Sequence, residues 1–443
     1  MSRYMDLCEQ VLELVGRRAE AQVMVAGGRS ALTRFANSFI HQNVGEDQLS
    51  VNLKVVVDGR VASASTTRST VDALQRLVEG TIDAAKLRPV DPDWPGLAPP
   101  AEVQPVEHYD EATAEASPEE RAAVVKEFVA AGDGMRAAGY CDTEGGLVAF
   151  ASTAGQRAEG RSTRATVDGI HQTESSAGAA HQTALRLADL DGSAGGQVAA
   201  RKARDASKPV ELEPGRYEVV LEPECVATIV VFLSFYGLNG KAVAEGQSFA
   251  RVGERQFDRT FNIWDSVAEL RALGVPFDAE GTPKRKVDFV REGVVESLAH
   301  DRRTAGKLDA ESTGHAIPGG EVWGAFPSNV FVGTGNRSLP EMIGAVERGL
   351  LVTQFNYCRI LDPKTQVVTG LTRNGTFLIE GGEVTKAVGN LRFTQSFVKA
   401  LGEGSLLGIG SESRFADSEF GAGFIVAPAV HLAEWNFTGG AKG

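Results

Sequence analysis

The chain is sparing with the residue types that hold metals, activate water or attack carbonyls. It has seven histidines, at His41, His108, His171, His181, His300, His315 and His431, and none is followed by glutamate. The H-E-x-x-H helix, which offers two imidazoles to zinc one turn apart, is therefore absent. His171 and His181 stand ten apart, a spacing that does not place both on one helical turn. They read as polar histidines, one on a strand and one on a helix. The four cysteines, Cys8, Cys141, Cys225 and Cys358, form no C-x-x-C pair. That pattern fits a reducing compartment and argues against a zinc knuckle or a disulfide framework. Cys358, in FNYCR, lacks a paired histidine and reads as a packed thiol. No G-x-S-x-G elbow occurs. Gly333-Thr-Gly335 lacks the third glycine and the lysine of a phosphate loop, which leaves a plain strand-to-helix turn. Carboxylates such as Glu222 and Glu224 cannot be singled out as an acid–base pair from sequence.

Composition narrows the class. The 443 residues are 42% hydrophobic and 23% charged, as in globular proteins with ample core. The net charge of −13 argues against nucleic-acid or anionic-membrane partners. The basic triplet Lys284-Arg285-Lys286 is flanked by Asp278, Glu280 and Asp288 and reads as a solvated loop. The start, MSRYMDLCEQVLELVG, reads as an amphipathic helix and not as a signal peptide. The long uncharged run Cys225–Gly240 is too short for a bilayer, which needs about 20 apolar residues. A cytoplasmic protein is expected.

The elements that must position any site follow from periodicity. Helices are expected from Tyr4 to about Arg18, Thr70 to about Ala85, Ser117 to about Ala138, and Gly195 to about Ser207. The second of these has Val71, Leu74, Leu77, Val78 and Ile82 on one face. Strand-like runs are AQVMVAG, LTRFANSFIHQ and LSVNLKVVVDGRVASAST, the last turning at Asp58-Gly59. A proline-rich connection lies near 89–105. Further strands are expected around 147–151 and 164–173. After RYEVVLEP, the segment from Val322 is strand- and turn-rich, with one helix after Ser338. Arg348–Phe355 and Gly375–Val384 are expected to neighbour each other, the second through a Gly-Gly turn. No period of 20–50 residues repeats.

Several of these segments together resemble the TldD/PmbA family (PmbA is also called TldE), peptidases known as modulators of DNA gyrase. The markers are RFANSFIHQN at 34–43 with LKVVVDGRVASAST after it, and RGLLVTQFNYCRILDPKTQVVTGLTRNGTFLIEGGEVTKAVGNLRFTQSF at 348–397. The closing EWNFTGG at 434–440 is also similar to the family. The resemblance spans nearly the whole chain. It implies an α+β fold, with an N-terminal mixed α/β region (1–207) and a C-terminal β-rich domain (208–443) built on a curved sheet or barrel.

The family has two kinds of subunit. In the TldD type, H-E-x-x-x-H follows the strand that opens the C-terminal domain, and a cysteine near the C-terminus is a further zinc ligand. In this chain that strand matches RYEVVLEP, and the helix exit matches LNG. Val231 and Phe232 then stand at the positions of the first His and the Glu, and Tyr236 at the second His. No His or Glu lies between Val226 and Val243, and GIGSESRFADSEFGAG has no cysteine. Val231 and Phe232 read as core, while Tyr236 can line a cavity or interface. The resemblance implies a TldE-like subunit with no catalytic residue and no metal or other cofactor of its own. Zinc is expected in a TldD-type partner, with which it would form a peptide-degrading heterodimer. The alternative is a homodimeric peptide-binding or chaperone-like protein. A third possibility is an independent enzyme centred on Cys358.

Overall fold

The computed structural model describes residues 2–440, with 422–424 described through their backbone alone. Helix α1 (Arg3–Val15) is capped by Ser2, whose hydroxyl accepts the Met5 amide at 3.2 Å. Three strands follow as a meander, β1 (Glu20–Ala36), β2 (Phe39–Val57) and β3 (Arg60–Thr66), and α2 (Val71–Lys86) closes it. After the proline-rich connection and a single turn, α3 (Glu111–Ala114), the same order returns. Helix α4 (Pro118–Ala130) precedes β4 (Arg136–Ser152), β5 (Arg157–Gln172) and β6 (Ala177–Ala184), and α5 (Gly192–Asp205) ends the unit.

The six strands form one antiparallel sheet in the order β3-β2-β1-β4-β5-β6. The two helix–meander–helix units meet at its centre, where β1 pairs with β4 from Gln22–Ser152 to Phe35–Gly139. Glycine is required there, since a Cβ at Gly28 would lie 2.0 Å from the Gly145 carbonyl oxygen. Alternation fixes the two faces. Val23 and Val25 pack with α1, and Phe35 packs with Val124 and Phe128 of α4, so the helices cover one face. Met24 and Phe150 turn the other way, toward Phe277 and Val275. The repeat is one of topology and escapes a search for short sequence periods.

Three expectations change in detail. LTRFANSFIHQ is not one strand, because Asn37 and Ser38 both take positive φ (50° and 65°) and make a hairpin. The helix from Ser117, with its capping box to Glu120, stops at Ala130 and not near Ala138. Asp133 and Gly134 are left-handed (φ 49° and 84°), and Arg136 already begins β4. Val71 belongs to the first turn of α2 but is exposed, whereas Leu74, Leu77, Val78 and Ile82 are buried as expected.

The C-terminal half opens with β7 (Gly215–Leu221) and α6 (Pro223–Tyr236), followed by α7 (Gly240–Ala244). Then come β8 (Ile263–Asp265), β9 (Val287–Arg291), β10 (Val294–Val295), α8 (Arg302–Lys307), α9 (Gly320–Trp323) and β11 (Val330–Val332). Next are α10 (Leu339–Gly344), β12 (Arg348–Val352), β13 (Phe355–Asp362), β14 (Val367–Thr372), β15 (Thr376–Glu380) and β16 (Glu383–Ala387). The chain ends in β17 (Leu391–Ser396), α11 (Phe397–Ala400), β18 (Leu406–Ser418) and β19 (Gly421–Gly440).

Strand β19 is the spine of this half. Ile425 pairs with β11 and β18, Val430 with β7 and β18, and Phe437 with β7 and β17. The path β10-β9-β8-β11-β19-β7-β12-β15-β16 has free ends, so the sheet is a curved open one and not the closed barrel that was the alternative. β12 and β15 are antiparallel neighbours as expected, and Gly381 and Gly382 turn the chain into β16. Helix α6 is buried on all sides from Pro223 to Ser234, as a uniformly apolar helix must be.

The halves are pinned at several points. Gln156 Nε2 donates to the Gly281 carbonyl at 2.7 Å, and Gln22 Nε2 to that of Ala279 at 3.2 Å. The proline-rich connection reaches across through Asp91 with Arg303, and Asp93 with Lys307 at 2.7 Å.

A buried ion pair anchors the end of β8. Asp265 Oδ1 lies 3.2 Å from His315 Nε2, both side chains fully buried. The other Asp265 oxygen accepts the Ser328 and Asn329 amides at 2.9 and 2.6 Å. Burial pushes this carboxyl up, but His315, Lys284 and the Asn329 amide together bring it below its ordinary value. His315→Ala leaves a buried carboxylate without its partner and is expected to cost about 3–5 kcal/mol in urea unfolding. A loss under about 1 kcal/mol would show that the pair is dispensable.

Candidate functional site

The start of α6 faces a cavity of about 690 Å³ between the two halves. Glu222 is the N-cap residue, yet its side chain makes no capping bond. It instead accepts from Lys202 Nζ, in the last turn of α5, at 2.6 Å. Two residues later, Glu224 accepts from Arg414 of β18 at 2.9 Å, and Arg414 also lies 3.8 Å from Glu222. Lys202, Glu222 and Glu224 are each under a tenth exposed. Two carboxylates and two cations thus join α5, α6 and β18 at the cavity wall.

On the same wall, antiparallel pairing sets Asp168 of β5 opposite His181 of β6. His181 Nδ1 is 3.2 Å from Asp168 Oδ2, and its Nε2 is 2.8 Å from the Thr183 hydroxyl. Asp417 of β18 approaches from the other half. One donor atom from each of Asp168, His181 and Asp417 lies within 4.8 Å of the other two. Burial lowers His181, but the Asp168 hydrogen bond and the charges of Asp417, Asp168 and Glu224 more than reverse it, for a net upward shift. Burial pushes Asp417 up to about 6; His181 opposes this, and Asp168 and Glu224 add to it.

The positions inferred from the family motif lie elsewhere on α6. Val231 and Phe232 are packed in the main core, 2% and 1% exposed. Phe232 meets Phe397 edge-on at 5.9 Å and Tyr236 at 5.6 Å. Tyr236 is half-buried against Phe235, and burial raises its hydroxyl while Arg359 opposes. Val231 and Phe232 carry no atom that could bind zinc, and the Tyr236 hydroxyl has no histidine or carboxylate of α6 beside it. Of the tail GIGSESRFADSEFGAG, Gly410 to Arg414 and Asp417 line the cavity, while Ala422 and Gly423 fall outside the residues with described side chains.

Cys358 is buried, and burial followed by Glu419 pushes its thiol far above the ordinary range. That is the environment of an inert thiol. The four cysteines are free and buried. His171 is on β5 and stacks on Phe128 at 5.2 Å, so both it and His181 sit on strands, not one on a strand and one on a helix. His181, read from sequence as a plain polar histidine, stands beside Asp168 and Asp417 in a group whose donor atoms converge. Its companions are set by strand pairing and by a strand of the other half, neither of which helical spacing can register. Lys202 and Arg414 carry no local signal at all.

Two outcomes test this description. Phe232→Ala should cost about 3–5 kcal/mol of unfolding free energy, as for large buried aromatics. Tyr236→Phe should stay within about 1 kcal/mol, because its ring and not its hydroxyl packs here. Equal losses in urea melts would contradict the placement of the two rings.

Asp142, on β4, gives a pH signature. Burial pushes it up to about 6, Arg164 and the Thr166 hydroxyl opposing and Glu144 adding. Its folded value then exceeds the unfolded one, about 3.9. Between about pH 4 and pH 6 the folded state holds more protons, so this residue's contribution to stability falls as pH rises through that window. Asp142→Asn should remove that change, up to about 3 kcal/mol across the window. Parallel profiles for the two proteins, by denaturation from pH 4 to 7, would refute it.

The fold and sequence have known relatives. Residues 214–439, more than half of the chain, match the family model of the PmbA/TldA metallopeptidase C-terminal domain. The crystal structure of TldE from Thermococcus kodakarensis superposes with a TM-score of 0.87 over 98% of this chain and 99% of that one, at 18% identity. A metalloprotease of Methanocaldococcus jannaschii is 25% identical over 183 residues, 39% of this chain and 39% of that protein. A metalloprotease of Methanothermobacter thermautotrophicus is 25% identical over 205 residues, 44% and 45% of the two lengths. The matched segment thus spans less than half of each curated relative. Among the described residues no helix is long and apolar enough to cross a membrane. The chain belongs to the PmbA/TldD metallopeptidase family.

Proposed function

We propose that this chain is the non-catalytic, TldE-like subunit of a TldD/TldE-type zinc metallopeptidase that processes small or unfolded peptides in the cytoplasm. The observation that carries the reading is α6. Where the TldD type is expected to hold its zinc ligands, this helix presents Val231, Phe232 and Tyr236 within an apolar core. Catalytic zinc therefore belongs to the partner, and this chain supplies a wall. The proposed boundary between its domains, at 207/208, lies in the linker between α5 and β7.

The exit of α6 supports a docking role. Phe235 lies 5.7 Å from Trp323 and 6.4 Å from Phe420. Trp323 and Phe420 are 56% and 52% exposed and Val322 is 64% exposed, an apolar surface of the kind that partners cover. An obligate interface there should bury more than about 2,000 Å².

Co-purified with a TldD-type chain of the same organism, the protein should elute as a heterodimer and switch on chelator-sensitive peptide cleavage. Phe420→Asp should weaken assembly by at least about tenfold, as loss of an interface aromatic does. Cleavage by this chain alone, insensitive to chelator, would refute the proposal. Self-association through the same surface with no such partner would favour a homodimeric peptide-binding protein instead.

A further inference from the structure

We propose that Asp168, His181 and Asp417 form a divalent-cation site that clamps the N-terminal sheet to β18 and completes one wall of the cavity between the halves. This site is separate from the family's zinc helix, because no ligand comes from α6.

The donors come from three strands of two different sheets, and each has a donor atom within 4.8 Å of the others. First-row cations hold imidazole and carboxylate atoms at about 2.0–2.2 Å, so a small contraction of the two aspartate side chains brings all three into range. One imidazole with two carboxylates favours zinc or manganese over magnesium or calcium, which prefer all-oxygen sets.

Charge points the same way. Lys202 and Arg414, on the same cavity wall, are engaged by Glu222 and Glu224. Asp168 and Asp417 have His181 between them as their common partner. A divalent ion balances the two carboxylates and leaves His181 neutral. The buried imidazole is prepared for that role by its outer side. Thr183 Oγ1 meets Nε2 at 2.8 Å and Thr166 Oγ1 at 3.3 Å, so it can accept from Nε2–H and donate its own proton to Thr166, whose hydroxyl in turn faces Asp142. That polarity leaves the Nδ1 lone pair for a cation, and a hydrogen bond on the far ring nitrogen is the usual support of a metal-bound histidine. All three residues line the cavity, so positions not filled by protein face it.

The test uses the full chain without any partner, stripped with chelator and dialysed. Zinc, manganese and magnesium chlorides are titrated separately at pH 7.5 by calorimetry, with elemental analysis of the dialysed product. The expected result is one equivalent of zinc or manganese, bound at least about tenfold tighter than magnesium, with a raised melting temperature. His181→Gln and Asp417→Asn, checked for folding by circular dichroism, should each weaken binding more than about 100-fold, and Thr183→Val about 10–100-fold. His431→Gln, which alters a separate histidine–glutamate pair, should leave binding unchanged. Asp168→Asn replaces any variant that does not fold. Absence of stoichiometric binding to the wild-type chain overturns the proposal, as does binding that survives both ligand substitutions.

Discussion

The C-terminal half depends on burying one helix on every side. At about 1.5–3 kcal/mol for each fully buried aliphatic or phenyl side chain, Ile229 to Leu233 alone contribute on the order of 10 kcal/mol. That is comparable with the net stability of a whole domain. The curved sheet around β19 exists to enclose this helix, and its enclosure leaves no room for an unpaired charge. Polar groups are therefore displaced to the helix ends. At the start, Glu222 and Glu224 meet Lys202 and Arg414, and a cavity opens toward the other half. At the exit, aromatic rings lead from Phe235 out to the surface.

That displacement explains why the polar site lies where the halves meet. Lys202 belongs to α5, Glu222 to the mouth of α6 and Arg414 to β18, so the Lys202–Glu222 pair crosses between the halves while the Arg414 pairs close within the C-terminal one. Lys202, Glu222 and Glu224 are nearly buried while Arg414 reaches solvent, so removing Lys202 strands Glu222 in a medium of low polarity. The Lys202–Glu222 pair therefore specifies how the halves dock more than it adds to stability. The Asp168–His181–Asp417 cluster obeys the same rule, with two residues on one sheet and the third on the other.

How much of this was legible depended on how local each signal was. The α2 face, the Asp58-Gly59 turn, the Ser117 and Ser338 caps and the β12–β15 pairing were written in neighbouring residues, and they stand. Asn37-Ser38 was missed because the flanking residues continue a strand pattern, and only positive φ at both positions marks the turn. The end of α4 was overextended because alanines favour a helix up to a Gly-Asp-Gly run that forbids it. The duplicated topology of the N-terminal half was invisible, since it resides in strand order and not in sequence. For the site, the family pattern drew attention to Val231, Phe232 and Tyr236, the middle and exit of α6. The charged residues at its entrance are brought together by contacts across nearly two hundred residues, which no spacing rule reaches.

A helix packed to the core on every side offers no surface along its middle. Charged and exposed groups around it are left to its two ends. The entrance keeps charge, a cavity and three convergent donor atoms, and the exit keeps exposed aromatic surface. These are different kinds of surface: the first is polar and suits small ionic ligands, the second is apolar and suits another apolar face. With the middle of α6 packed into the core, the polar and the apolar surface of this half are separated by the length of one helix.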